Sequence, residues 1–245
     1  MSYNRLFTDI HASANDSPAD QPALSLDGIQ AITFDAGGTL VHAWPPVGTA
    51  YAEVLADHGI EADGEVLQER FMQFYKKATE RPRERIDLEA ERIFWRKVVA
   101  ETVADVCPQE QLDSVFDALW NAYASSDRWR LYPGAKDTVR RCKEKGYRVF
   151  LLSNADSRFR QTFEELGFGD IFEELFISSE IGYEKPDPRI FHHVREKIAC
   201  KPEQILHIGD SPFHDGAAAT LGWNVAILGK EIQQITDVRA ALGHS

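Results

Sequence analysis

Four short segments of this 245-residue chain each set small residues beside a carboxylate, hydroxyl or amine. Asp35-Ala36-Gly37-Gly38-Thr39-Leu40 offers a carboxylate in a glycine-rich turn, and Ser153-Asn154 a hydroxyl and an amide. Gly182-Tyr183-Glu184-Lys185-Pro186 brings a lysine, and Gly209-Asp210-Ser211-Pro212-Phe213-His214-Asp215 two further carboxylates. As a set they are chemically coherent. Asp35 could attack a phosphorus or carbon centre covalently. Asp35 and Asp210 are hard oxygen ligands of the kind Mg²⁺ accepts, alongside substrate oxygens and water. Ser153 can donate to a phosphoryl oxygen, and Lys185 can offset the charge that would keep Asp35 and a phosphate apart. Taken singly, each has an ordinary explanation: an Asp after a strand is a common helix N-cap, and a Ser there a common turn residue. Their order along the chain sets them apart.

Each segment follows a short apolar run: Ile29–Phe34, Arg148–Leu152, Leu175–Ile177 and Ile205–Ile208, with a fifth run at Val225–Leu228. Runs this short, with little alternation, are what strands buried on both faces of a parallel sheet look like. Helical stretches separate the later ones, at Ser157–Leu166, Pro188–Ile198 and Gly216–Leu221, and Gly146 and Gly167 stand where helix C-caps belong. Repeated β-α-β units predict an α/β fold with a doubly wound, Rossmann-like parallel sheet. In such sheets the ligand sits beyond the carboxyl ends of the strands, where these segments would converge.

Between the first two runs lie more than a hundred residues without a convincing strand. Amphipathic helical segments fill the gap: Gly48–His58, Glu65–Glu80, Leu88–Val106 and Gln109–Ser125, with Pro108 suited to the first turn of the last. The expected organisation is a tail over residues 1–27, a sheet core over 28–46 and 129–245, and a helical cap over 47–128. Trp44, Pro45 and Pro46 would form a stiff hinge, with a return strand near Asp127–Tyr132.

Composition narrows the classes further. With 43% hydrophobic and 27% charged residues the chain reads as globular. No apolar run approaches the ~18 residues that cross a bilayer. The polar start lacks the apolar core of a secretory signal. Twenty-seven Lys and Arg against 39 Asp and Glu give a net charge of −12, which argues against nucleic acid or acidic membranes as partners. Cys107, Cys142 and Cys200 are far apart, as expected of free thiols in a reducing cytoplasm. The charge is uneven, since residues 70–97 hold nine Lys and Arg against five Asp and Glu. One of the arginines in the 76–85 stretch could reach a substrate anion, although an exposed charged loop explains the cluster as well. His192-His193 has no companion at metal-ligand spacing and reads as helix surface.

The strings ITFDAGGTL, LLSNAD, GYEKPDPRIF and ILHIGDSPFHD resemble, in order, motifs I to IV of the haloacid dehalogenase superfamily. The likeness spans about Ile29 to Leu228, and YPGAKDTVRRCKEKGYRVFLLSN is similar to members with a helical cap inserted after motif I. The resemblance implies a Mg²⁺-dependent hydrolase acting on a small phosphorylated molecule. Asp35 would be the nucleophile and Asp210 a direct metal ligand, with the Gly37 backbone carbonyl as another. Asp215 would hold the metal's water shell or Lys185. Ser153 and Lys185, with Asn154 and Gly38 beside them, would bind the phosphoryl group, and Thr39 would brace the motif I loop. His214 stands where the family often has Asn.

One position departs from the pattern. Phosphatases of this superfamily usually carry a second Asp two residues after the nucleophile, as acid and base; here it is Gly37. General acid–base catalysis is typically worth ~10²–10⁴-fold, so the loss matters. Three readings follow: a phosphatase restricted to good leaving groups, a C–X or C–P hydrolase, or a weakly catalytic scaffold that binds without turnover. The superfamily's haloacid dehalogenases work without metal and typically lack the first acidic residue of motif IV, which is present here as Asp210. Its phosphonatases need a placed cap lysine, for which Lys76 and Lys77 are the candidates.

Overall fold

The computed structural model describes residues 24–80 and 83–243. The first strand, β1 (Ala31–Phe34), is buried along its whole length. The remaining strands are β2 (Val41–Ala43), β3 (Trp129–Leu131), β4 (Arg148–Ser153), β5 (Glu174–Ile177), β6 (Ile205–Gly209) and β7 (Asn224–Ile227). Five of them form a parallel sheet in the order β5-β4-β1-β6-β7, with β1 at its centre. Successive side chains pack on opposite faces, as the two-residue period of a strand requires. Ile32, Phe34, Val149 and Leu151 join one apolar cluster, and Ala31, Phe150 and Leu152 the other.

Helices cover both faces. The first cluster takes in α5 (Ala135–Glu144), α6 (Phe159–Glu165) and α9 (Asp237–Ala241). The second is closed by α8 (Pro188–Ile198) and a 3-10 helix, Gly216–Leu221; α7 (Ser178–Ile181) is a single turn after β5. Asp187 starts α8, its carboxylate accepting from the Arg189 N–H at 2.9 Å, with Pro188 in the first turn. The doubly wound arrangement read from the apolar runs is therefore present. The expected helix at 216–221 is 3-10 rather than α. Ile29 precedes β1 in a turn closed by its N–H on the Leu26 carbonyl.

The insertion after β1 holds α1 (Val47–Asp57), α2 (Gly64–Thr79), α3 (Leu88–Val103) and α4 (Leu112–Ala122). Asp63 and Asp87 cap α2 and α3 by accepting from the Glu65 and Ala90 N–H groups, both at 2.8 Å. Helices α1 and α2 meet backbone to backbone: a Cβ on Gly48 would stand 2.0 Å from the Gly64 carbonyl oxygen. Pro108 lies outside α4, in a turn where its carbonyl accepts from the Gln111 N–H at 2.9 Å, because the helix begins only at Leu112.

Strands β2 and β3 pair antiparallel at the entry and exit of this insertion. The return strand falls where it was expected, but its partner at 41–43 has three residues and no readable period. Most of the N-terminal tail lies outside the described residues, and Leu26 packs into the core. No helix of the described residues is long and apolar enough to cross a membrane.

Candidate active site

Because the five strands run parallel, their carboxyl ends share one edge, and the four chemistry-bearing segments leave from it. Asp35 follows β1 directly, its backbone N–H bonded to the Ile208 carbonyl at 2.8 Å. The turn after it folds tightly, with the Leu40 and Val41 N–H groups both on the Ala36 carbonyl. Gly38 has φ +78°, and a Cβ there would meet Asp210 Oδ2 at 2.6 Å. Only glycine allows the motif I turn to approach the β6 carboxylate this closely. The Thr39 hydroxyl, expected to brace this turn, is buried without a hydrogen-bond partner, so the backbone bonds do the bracing.

Lys185 is the hub. Its ammonium, 2% exposed, donates to Asp35 Oδ1 at 2.7 Å, Asp215 Oδ1 at 2.6 Å and the Leu152 carbonyl at 2.9 Å. These three acceptors come from three different strand ends, so one cation ties β1, β4 and β6 together. Asn154 fixes the lysine's backbone by a reciprocal pair, its amide donating to the Lys185 carbonyl and accepting from the Lys185 N–H, each at 2.8 Å. Its place at the site is thus on the backbone of Lys185. Ser153, 3% exposed, ends β4 in the same cavity.

Asp215 commits both oxygens to the protein. Oδ1 also receives His207 Nε2 at 3.0 Å, and Oδ2 receives the Ser211 N–H at 2.9 Å. His207 sits fully buried in β6, its Nδ1 2.8 Å from the Thr33 hydroxyl. Burial lowers its pKa and keeps it neutral, so a proton on Nε2 satisfies Asp215 while Nδ1 accepts from Thr33. His207 went unrecognised in the sequence; its signal was one polar residue inside the run Ile205–Gly209.

The electrostatics divide the carboxylates. Burial alone would raise Asp215, but Lys185 and His207 outweigh it and hold the group well below the usual range. For Asp35 burial prevails: Lys185 lowers the pKa, the Asp215 charge raises it, and it stands at about 6. Burial disfavours the Lys185 charge, yet Asp215 and Asp35 raise its pKa above the ordinary value. Ligand oxygens of Asp35, Asp210 and Asp215 lie within 4.8 Å of one another. Hard oxygens so grouped suit Mg²⁺. Since Asp215 is engaged with Lys185, His207 and Ser211, Asp35 and Asp210 are the pair best placed to face the ion.

Residues 29–222 match the haloacid dehalogenase-like hydrolase family. The chain belongs to that family. Among relatives, this haloacid dehalogenase-like hydrolase is 30% identical over 210 residues to the haloacid dehalogenase-like hydrolase domain-containing protein 3 of Bos taurus, covering 83% of each chain. It is 28% identical over 200 residues to phosphoglycolate phosphatase 1 of Pseudomonas aeruginosa, covering 80% of this chain and 68% of that one. A solved structure of a defluorinating L-2-haloacid dehalogenase superposes with a TM-score of 0.72 at 20% identity, covering 88% of this chain and 96% of that one. That last likeness is one of fold.

Above the strand ends this hydrolase has a partly open cavity of about 210 Å³ between the sheet edge and the helical insertion. One arginine of the basic stretch borders it. Arg83 Nη2 bonds Glu91 Oε1 at 2.6 Å within the insertion and Glu184 Oε2 at 2.5 Å beside Lys185. Arg83 therefore links the insertion to the sheet domain, and two carboxylates already neutralise it. Lys76 and Lys77 are exposed and do not line the cavity. His192 is exposed and His193 half-buried on α8.

Replacing Arg83 strands two nearly buried carboxylates, whose side chains are 5% and 11% exposed. The Arg83 side chain is itself 21% exposed, so solvent screens part of the loss. Arg83→Ala is expected to lower the unfolding free energy by about 1–3 kcal/mol in a urea titration. An unchanged midpoint and slope would show that the link contributes nothing to stability.

Proposed function

We propose that the chain is a Mg²⁺-dependent phosphatase of small phosphorylated metabolites, with Asp35 as nucleophile. The observation that carries the reading is the grouping of Asp35 and Asp210 around the Asp35–Lys185–Asp215 ion-pair network. A halide displacement has no use for the β6 carboxylate, whereas a phosphoryl group with its metal does. The phosphatase relatives, phosphoglycolate phosphatase 1 and, over 40% of this chain, a glyceraldehyde 3-phosphate phosphatase, point the same way.

In this reading Asp35 and Asp210, with the Gly37 carbonyl, hold Mg²⁺, which supplies charge neutralisation for the phosphoryl oxygens. Lys185 orients the Asp35 carboxylate and meets the incoming phosphate with positive charge. Ser153 donates to a non-bridging oxygen, with Gly38 and Asn154 shaping the cradle. Asp35 attacks phosphorus in line and the leaving oxygen departs; water then cleaves the aspartyl phosphate to phosphate and free Asp35. The insertion standing over the strand ends limits the access of bulk water during the first step. A Schiff-base route gains no support, since among the described residues Lys185 alone of the lysines lines the cavity, and it is held by two carboxylates.

Incubating the purified protein with acetyl phosphate tests the reading. Phosphate release should require Mg²⁺ and fall at least about tenfold with excess EDTA. Release that ignores EDTA, or none with Mg²⁺ present, would overturn it.

A further inference from the structure

We propose that the leaving group is a single uncharged aromatic ring, so that the substrate is a compact aryl phosphate monoester; this rests on the phosphatase reading above. Three observations converge on it. The first is the wall of the cavity. Tyr75, Phe94, Trp95, Trp120, Tyr123 and Phe159 line it and are only partly buried, although they sit beside a fully packed core. Tyr75 stacks on Trp95 with ring centroids 5.6 Å apart at 16°, and Phe94 meets Trp95 edge-on at 5.2 Å. Tyr75 is stacked on its other face by Phe71 at 5.6 Å, and the Arg83 guanidinium lies over the Phe94 ring at 4.6 Å, so the face of Trp95 turned away from Tyr75 is the one left for another ring.

The second is size and charge. An apolar cavity of about 150 Å³ takes one benzene. The roughly 210 Å³ here, which includes the phosphate floor, has room for a ring and a phosphoryl group. The described lining carries six carboxylates against three cations. Arg83 is paired with Glu91 and Glu184, Arg158 with Asp156, and Lys185 with Asp35 and Asp215. A second anionic group on the substrate would find no unneutralised partner among them. Neutral acceptors fare better: the Tyr123 hydroxyl and Arg83 Nη1 are buried polar atoms without a protein partner. A hydroxyl or carbonyl substituent on the ring would suit both.

The third is Gly37, which takes the place of the usual acid. A phenol ionises near pH 10, as tyrosine does, whereas an alkoxide is nearly as basic as hydroxide, whose parent water has a pKa of ~15.7. The attack breaks the P–O bond, the electron pair leaves on the phenolate oxygen, and that oxygen takes its proton from solvent. Water then releases inorganic phosphate from Asp35. The net reaction is aryl phosphate plus water to phenol plus phosphate.

Two measurements on the full chain with Mg²⁺ test this. Calorimetric titration with phenylphosphonate and methylphosphonate, which differ only in the ring and are not cleaved at a P–O ester, should show at least about tenfold tighter binding of the former. Kinetically, kcat/KM for phenyl phosphate should exceed that for phosphoglycolate about 10²-fold. Trp95→Ala should lower the ratio of kcat/KM for phenyl phosphate to that for acetyl phosphate at least tenfold; Trp95→Leu serves if the alanine variant does not fold. Equal binding of the two phosphonates, or no preference for the ring while acetyl phosphate is hydrolysed, overturns the aryl assignment and leaves the phosphatase intact. Ring-dependent binding without hydrolysis of any phosphate overturns the phosphatase and leaves an aryl site.

Discussion

Asp35→Asn should abolish phosphate release, by at least about 10⁴-fold in kcat, while the protein remains folded. The amide keeps the shape of the carboxylate but has neither its charge nor its nucleophilic oxygen. The fold should tolerate it because Lys185 retains Asp215 and the Leu152 carbonyl as acceptors. Stability supplies an independent readout. The folded protein holds Asp35 at about 6 against an ordinary 3.8, so the unfolded chain ionises first as pH rises. The group therefore costs the metal-free native state stability progressively between about pH 4 and pH 6, and that cost persists above. Asparagine removes it. In EDTA, the unfolding free energy of the variant should gain on that of the wild type across this window and then run parallel. Retention of more than a few per cent of activity would exclude Asp35 as nucleophile. A constant difference between the two stability curves would mean that Asp35 is not raised.

What could be read from the sequence follows a physical division. The strand ends were legible because a strand buried on both faces must be almost wholly apolar, so the first polar residue after it marks the edge of the sheet. That logic sets Asp35, Ser153 and Asp210 at one edge, and the parallel pairing puts them there. Residues whose role depends on a crossing between distant elements were not legible. Arg83 is one of several arginines in a charged stretch, and nothing local distinguishes it from Arg85, which ends up exposed and paired with Asp87 and Glu89. Only the approach of the 83–91 segment to the loop after α7 selects it. The aromatic wall is similar: Tyr75, Phe94 and Trp120 occupy helical positions that read as core. Three helices must converge before a cavity exists for them to line. Strand β2 escaped because three residues hold no period.

Gly37→Asp should raise kcat/KM for an alkyl phosphate by about 10²–10⁴-fold while changing kcat/KM for phenyl phosphate far less. The backbone permits the substitution. Gly38 needs its positive φ, but Gly37 is not among the left-handed glycines, and it pairs in a β-bridge with Val41, a conformation any residue adopts. It lines the cavity two residues after Asp35, so a carboxyl group there could reach the leaving oxygen. An alkoxide needs that proton at the moment the bond breaks, whereas a phenolate does not, and so the gain should depend on the leaving group. The second half of the reaction gives a separate signal. Without a base to activate water, the aspartyl phosphate on Asp35 should turn over slowly and accumulate. Intact mass after quenching with acetyl phosphate should then show one added phosphoryl group on the wild type and much less on the variant. If Gly37→Asp leaves both the alkyl rate and the phosphorylated fraction unchanged, proton transfer does not limit this active site. Neither the metal nor the turn would then require the glycine, since its carbonyl is available to Mg²⁺ whatever side chain it carries and its backbone is not left-handed.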